Sequence, residues 1–455
     1  MEALAELTDT FSGEVVLPGD PEYDSARVVW NGMIDRRPAL VVRPTGSDDV
    51  VSALRFAREQ DLIVAVRGGG HSISGQSTCD DGIVIDLSRM GGVRVDPEQR
   101  RAVAGGGALL SELDTEAQAH GLVCPVGVVS HTGVAGLTLG GGVGRLQRKY
   151  GLTIDNLLAV DLVSADGRVT RASEDENADL FWGLRGAGAN FGIVTSFEFR
   201  LHPLDPTVTA GAVLHPIERA RELADLFRQI ADIGSNDWFA AFALGVAPAA
   251  YDFPPDLAGK PIAAISVMHS GSLATAERDL AELRAFGPPI VDSIAPKTYL
   301  SVQQMNDEAM GWGHRFYMKS AFLPTLPDEL VDLLVERVSN GPGGAEAGIS
   351  MWPFGRAIAD VPDEATAFTG REAAFWLGAE VFWDDPALDD RARQWGRAAL
   401  ADVEPFAITG RYVNDVMESG EARSVYGDAK YERLVALKRA WDPENVFRLN
   451  QNLQP

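Results

Sequence analysis

Val50, Val51, Leu54 and Ala57 recur at the helical period behind Ser47, and this spacing predicts a helix, capped by Ser47, running to about Gln60. An apolar run, Leu62–Val66, then reads as a strand, and Ile83–Leu87 as another. Arg94–Val95 and Arg101–Val103, joined by Asp96-Pro97-Glu98, predict a hairpin, and Ala108 to His120 predicts a helix ending at Gly121. Up to about Pro203 the chain thus alternates short strands with helices.

Between Pro203 and about Thr409 the rhythm changes. Helical patterns at Ile217–Ile230, Ala274–Ala285 and Asp328–Val338 separate strand-like runs at Trp238–Val246, Ile262–Ser270, Gly348–Trp352 and Phe375–Trp383. Several runs alternate in polarity, which predicts an antiparallel sheet with one face under helices and the other facing a cavity. On Phe375–Trp383 the two-residue period places Trp376, Gly378 and Glu380 on one face, with Gly378 leaving room for a small molecule between two large side chains. Trp312, Trp352, Phe354, Trp376 and Trp383 are candidates for an aromatic cavity wall, or for ordinary core. From Arg411 the chain changes character again, and Tyr431 to Ala440 predicts a basic helix stopped by Asp442-Pro443.

Composition narrows the function classes. The chain has 455 residues, 45% of them hydrophobic, enough for a large core and more than one domain. Its net charge of −25 repels nucleic acid and anionic membranes, so neither is an expected partner. Cys79 and Cys124 are the sole cysteines, too few for a disulfide framework. With no signal-peptide pattern at Met1–Asp9 and no membrane-spanning apolar run, the expectation is a soluble cytoplasmic protein. No metal site is expected.

The candidate chemistry lies in two glycine-rich segments. In Arg67-Gly68-Gly69-Gly70-His71-Ser72, followed by Gly75-Gln76-Ser77, consecutive glycines let backbone N–H groups converge on an anion such as a pyrophosphate, with a histidine at the lip. The second segment, Pro125–Gly144, holds seven glycines in twenty residues, with Ser130, His131, Thr132 and Thr138 among them. Each glycine costs about 0.5–1 kcal/mol relative to alanine in regular structure, so the segment predicts backbone lying close against something flat and large. Gly186-Ala-Gly188-Ala-Asn-Phe-Gly192 imitates a dinucleotide fingerprint, but a helix precedes it and a strand follows, the reverse of the order that motif needs.

Together these segments resemble the FAD-linked oxidase family that includes berberine-bridge-type enzymes, within the vanillyl-alcohol-oxidase-like (PCMH-type) flavoprotein fold. The resemblance runs through Pro44-Thr45, Arg67–Ser72, Ile83–Ser88, Gly136–Gly144, Lys149–Leu152 and Asp155-Asn156. It continues in Leu180–Gly186, Asn190–Thr195, Ala365–Phe368, Arg371, Tyr426-Gly427, Asp442–Asn445 and Asn450–Asn452. It implies an α+β fold: an FAD-binding domain of two α/β subdomains from residues 1–205 and the return segment 410–455, with a substrate domain at 206–409 between them. It implies a covalent bond from His71 to the flavin 8α-methyl. The expected cofactor-binding set is Arg67, Gly68, Gly69, Gly70, His71, Ser72, Gln76, Ser130, Thr132, Gly133, Gly136, Gly140, Val194, Asn450 and Asn452.

Three departures from the family pattern shape the expected activity. A second flavin link in many relatives uses a cysteine at the position held here by Val129, so a single link through His71 is expected, with Cys124 a buried small hydrophobe. The position associated with oxygen access is Thr132, whose shape is close to valine. The family tyrosine that follows an asparagine is replaced by Asp415 in Tyr412-Val413-Asn414-Asp415. Candidate catalytic residues are therefore Asp415, Glu380 and Tyr412, with Trp376, Gly378 and Trp352 around the substrate. The expected reaction moves hydride from an amine or alcohol C–H to flavin N5, with oxygen reduced to hydrogen peroxide. Two alternatives stay open: a flavin-dependent dehydrogenase or oxidative cyclase with another acceptor, and a non-catalytic flavin-binding protein.

Overall fold

The computed structural model describes residues 2–247 and 257–455. Near the N-terminus, four short strands form a sheet in the order Glu14–Val16, Leu40–Arg43, Ile83–Asp86, Val64–Arg67, with only the first antiparallel. The helix Ser47–Glu59 buries Val50, Ala53, Leu54 and Ala57 against it. Ser47 is not its cap: Gly46 takes that position, and the Asp49 carboxylate instead ties down the backbone N–H groups of Ser12 and Thr45. The predicted hairpin is present as Val93–Asp96 and Arg101–Gly105, at the edge of a five-stranded antiparallel sheet with Gly192–Arg200, Leu157–Ser164 and Val169–Ser173. The helix read as Ala108 to His120 is Leu110–Gln118.

The third sheet carries the cavity face. Its main path runs Val291–Asp292, Thr207–Pro216, Pro261–His269, Trp238–Val246, Glu346–Pro353, Phe375–Trp383, Arg315–Leu323, all antiparallel. Helices Ala220–Ile233, Asp328–Ser339 and Asp389–Val403 pack on one face, where Phe375, Leu377, Ala379, Val381 and Trp383 point. Trp376 and Phe382, on the alternate residues, join Phe316, Met318 and Tyr412 on the other face. The period of two thus separates core from cavity, as the sequence predicts.

Two buried ion pairs fasten the chain's parts together. Arg371, 2% exposed, makes a bidentate pair with Asp155 at 2.6 and 3.1 Å, joining the 3-10 helix Thr153–Asn156 to the turn that precedes the strand Phe375–Trp383. Such a fork is geometrically specific, and losing one partner would strand a buried charge. Lys438, fully buried, donates to Asp442, to the Asn190 carbonyl and to the Phe447 carbonyl at 2.7–2.8 Å. It lies on a helix longer than predicted, Ala422–Trp441, kinked at Gly427 (φ 70°). This anchor brings the last residues back against the first half of the chain.

Candidate active site

The two glycine-rich segments meet face to face. A Cβ on Gly69 would lie 2.4 Å from the Gly133 nitrogen, and one on Gly133 would lie 2.3 Å from the Gly69 nitrogen. Neither position tolerates a side chain, so the histidine loop and the second segment pack backbone on backbone. The second segment is not wholly irregular, as its composition suggested: it enters a seven-residue helix, Val134–Gly140, immediately after Gly133. Isolated propensity disfavours that helix, and its close packing overrides the cost.

Around this junction lies a cavity of about 350 Å³ between the two glycine-rich segments and the face of the large sheet that bears no helices. Of the expected cofactor residues, Gly68, Gly69, Gly70, His71, Ser72, Gln76, Thr132, Gly133, Gly136 and Asn450 line it. Five lie outside the lining. Arg67 turns its guanidinium to the Ala26 and Arg27 carbonyls, with Asp86 at 3.7 Å. Ser130 is tied through its N–H (2.8 Å) and hydroxyl (2.5 Å) to Asp307, and Gly140 packs against the Asn414 side chain. Val194 lies in the apolar core, and Asn452 is set back in the tail. The false fingerprint contributes in another way: its loop lines the cavity through Ala187, Gly188 and Ala189.

His71 is held by a partner that sequence reading missed. Trp30 stacks on it with ring centroids 4.4 Å apart and planes 19° from parallel, while His131 lies 5.0 Å away. Burial, with a smaller contribution from His131, lowers the His71 pKa to about 3, so its imidazole is neutral. Trp30 is fixed in turn by an indole N–H bond to the Met310 carbonyl. No periodicity surrounds Trp30, so nothing in the local sequence marks it. Phe316 and Met318 were also missed, although their alternation on Arg315–Leu323 carries the strand signal.

The carboxylate candidates converge. Asp415 and Glu380 both line the cavity, and each is raised to about 7. For Glu380 the cause is burial alone. For Asp415 burial dominates, hydrogen bonds from Ser320 and Trp376 oppose it, and neighbouring Glu380 adds to the rise. Trp376 Nε1 donates to Asp415 Oδ2 at 2.8 Å, and its ring meets that of Trp352 at 5.2 Å. Tyr412 serves otherwise: its hydroxyl accepts from the Gly142 N–H at 3.1 Å and from Asn414 at 3.0 Å, and burial raises its pKa, so it stays protonated.

The gap predicted over Gly378 is closed. A Cβ there would meet the Trp376 indole at 2.4 Å, so Gly378 makes room for the tryptophan rather than for a substrate. Of the five aromatic candidates, Trp352 and Trp376 line the cavity. Trp383 faces the helices and donates to Asp389, Phe354 packs with Phe322, and Trp312 is exposed with its ring edge over Gly70.

The lining suits a large ligand with a flat ring system and a polar tail. The Asn450 amide oxygen and the Ser77 hydroxyl line the cavity buried and without partners, and the interlocked glycines leave bare backbone at its wall. Residues 38–173 match the family pattern described as an FAD binding domain, and residues 412–454 the one described as berberine and berberine like. Across 98% of this chain and 97% of its own length, (R)-6-hydroxynicotine oxidase of Paenarthrobacter nicotinovorans is 34% identical. The chain belongs to the berberine-bridge-like family of FAD-linked oxidoreductases. Among solved structures, 6-hydroxy-D-nicotine oxidase from Arthrobacter nicotinovorans superposes with a TM-score of 0.86 at 31% identity, covering 98% of both chains. Berberine bridge enzyme from Eschscholzia californica shares the fold at 22% identity, with a TM-score of 0.87, covering 100% of this chain and 99% of that one. This protein is therefore an FAD-dependent oxidoreductase of PCMH-type fold. No helix among the described residues is long and apolar enough to cross a membrane.

Proposed function

We propose that this family member is an oxidase of small amines or alcohols, with a cationic amine the favoured class, that it is joined to its flavin through His71 alone, and that oxygen is its acceptor. The observation that carries the reading is the Glu380–Asp415 pair, two carboxyl groups near pKa 7 facing one cavity beside Trp376. Such a pair titrates together, so near neutral pH it holds both a proton and negative charge. That charge attracts an ammonium, and an ionised carboxylate takes its proton to leave the neutral amine, whose C–H is the one oxidised. An alcohol O–H would give up its proton to the same group. When bound, FAD accepts the two electrons from the substrate C–H and passes them to oxygen, which leaves as hydrogen peroxide.

The other residues orient and exclude. Trp30 stacking and burial keep His71 neutral and fixed, the state in which an imidazole nitrogen attacks carbon. Glucooligosaccharide oxidase from Acremonium strictum, a fold neighbour at 22% identity, is described with a 6-S-cysteinyl, 8α-N1-histidyl FAD. Here Val129 lines the cavity and cannot form a thioether, while Cys124 is fully buried elsewhere with its thiol pKa pushed up by burial. Thr132 at the cavity wall keeps the compact shape of valine, which supports oxygen access. Anaerobic mixing with a panel of amines and alcohols tests the reading: bleaching by an amine, then peroxide on admitting air, is expected. Reoxidation by a quinone but not by air would make it a dehydrogenase or cyclase, and a flavin no compound bleaches would make it a binding protein.

A further inference from the structure

A second cavity, of about 710 Å³, lies away from the flavin-type site, where the helix Gln147–Tyr150 meets the large-sheet domain. Its polar wall holds Arg148, Arg228 and Arg356 together with one acidic residue, Asp232, and its apolar wall includes Phe354, Phe375 and Leu326. Arg228 is accounted for, since it pairs with Asp225 and Asp328. The other two are not. Arg148 is 1% exposed, donates one bond, to the Ala231 carbonyl at 2.7 Å, and leaves Nε and Nη1 buried without partners. Arg356 donates only to the Asp232 and Gly234 carbonyls. Among the described residues neither has a carboxylate within ion-pair distance. Their charges act on each other: burial, and secondarily Arg356, lower the Arg148 pKa to about 10.

An unpaired guanidinium in a protein interior is destabilising, and a second positive charge nearby adds repulsion. The carbonyls ending the helix Ala220–Ile233 carry only about half a negative charge, which leaves the buried charge of Arg148 largely uncompensated, while Arg356 stands exposed at the cavity's rim. Arg356 also sits at φ 53°, a left-handed conformation that strains a side-chain-bearing residue and that glycine would adopt freely. The chain holds an arginine there despite that cost. Guanidinium groups across from aromatic and aliphatic walls match an oxyanion carried on an apolar body.

We propose that this cavity is a binding site for a small organic oxyanion, a carboxylate or phosphate ester with an apolar body, held by Arg148 and Arg356 and separate from the flavin site. The holoenzyme titrated calorimetrically at constant ionic strength with inorganic phosphate and with phenyl phosphate tests it. One site per chain is expected, with phenyl phosphate bound several-fold tighter than phosphate. Arg356→Gln, on an exposed side chain, should weaken both at least ten-fold while flavin content is unchanged, and Arg148→Met should do the same if it folds. Absence of binding to the wild type, or binding that Arg356→Gln leaves unaltered, overturns the site. Phenyl phosphate binding no tighter than phosphate overturns the organic assignment.

Discussion

Gly69 and Gly133 pass so closely that a Cβ on either would lie within 2.4 Å of the other's backbone nitrogen. The contact locks the His71 loop to the segment carrying Val129 and Thr132, so His71 and Thr132 are held as one unit. Gly69→Ala or Gly133→Ala must push this backbone apart. A loss of about 1–3 kcal/mol is expected from overpacking alone. The measurements are denaturant unfolding and the flavin-to-protein absorbance ratio, and both should fall. An alanine variant with full flavin content and wild-type stability would show that the two loops separate freely.

Covalent attachment should depend on His71 and nothing else. Acid precipitation of the wild type is expected to leave yellow colour in the pellet, and His71→Ala to release all of it. Cys124→Ser should behave as wild type, because that thiol is buried in core with its pKa raised by burial. Pellet colour surviving in His71→Ala would locate the bond elsewhere.

The carboxylate pair predicts a pH profile. A group that takes a substrate proton must be ionised, and Asp415 and Glu380 both lie near 7. Anaerobic flavin reduction should therefore be slow below that pH, rise through about 7 and level off above it. Asp415→Asn should lower the plateau rate about 100-fold or more and move or abolish the inflection, with flavin content intact. Glu380→Gln, by removing the neighbour that raises Asp415, should shift the inflection to lower pH. A profile unchanged in both variants would leave proton removal to solvent and favour an amine that reacts only in its free-base form.

How far this site was legible in sequence depends on the range of each signal. The strand Phe375–Trp383 was readable because its alternation is local: one face is core and the other bears Trp376 and Glu380. Tyr412-Val413-Asn414-Asp415 could be placed by the resemblance, but that Trp376 hydrogen-bonds Asp415 needs two distant segments brought together. Gly378 shows the limit of periodicity, which gives the face a side chain occupies and not the rotamer of its neighbour. The resemblance put Arg67 in the expected cofactor-binding set. Its position at the end of a parallel strand, beside Asp86 on the next one, turned it to backbone carbonyls instead. Trp30 had no local pattern to announce it.

A last prediction concerns Asp114, buried outside the flavin cavity and hydrogen-bonded by Tyr299 (3.4 Å) and Gln303 (3.1 Å) from the large-sheet domain. Burial raises its pKa from 3.8 to about 7, more than those two bonds and Arg145 lower it. A carboxyl whose folded pKa exceeds its unfolded one binds extra protons in the native state between the two values. Its contribution to stability is complete below about pH 4 and is lost as pH rises through about 7. A rise of about 3 units is worth on the order of 4 kcal/mol at pH 8. Asp114→Asn keeps the shape and an acceptor for Gln303 but cannot ionise. Its stability relative to wild type should increase between pH 5 and pH 8, and this difference isolates Asp114 from Glu380 and Asp415, which slope the same way. Urea unfolding of both proteins at several pH values checks it. Parallel curves across that range would mean that Asp114 ionises at no cost in the folded protein.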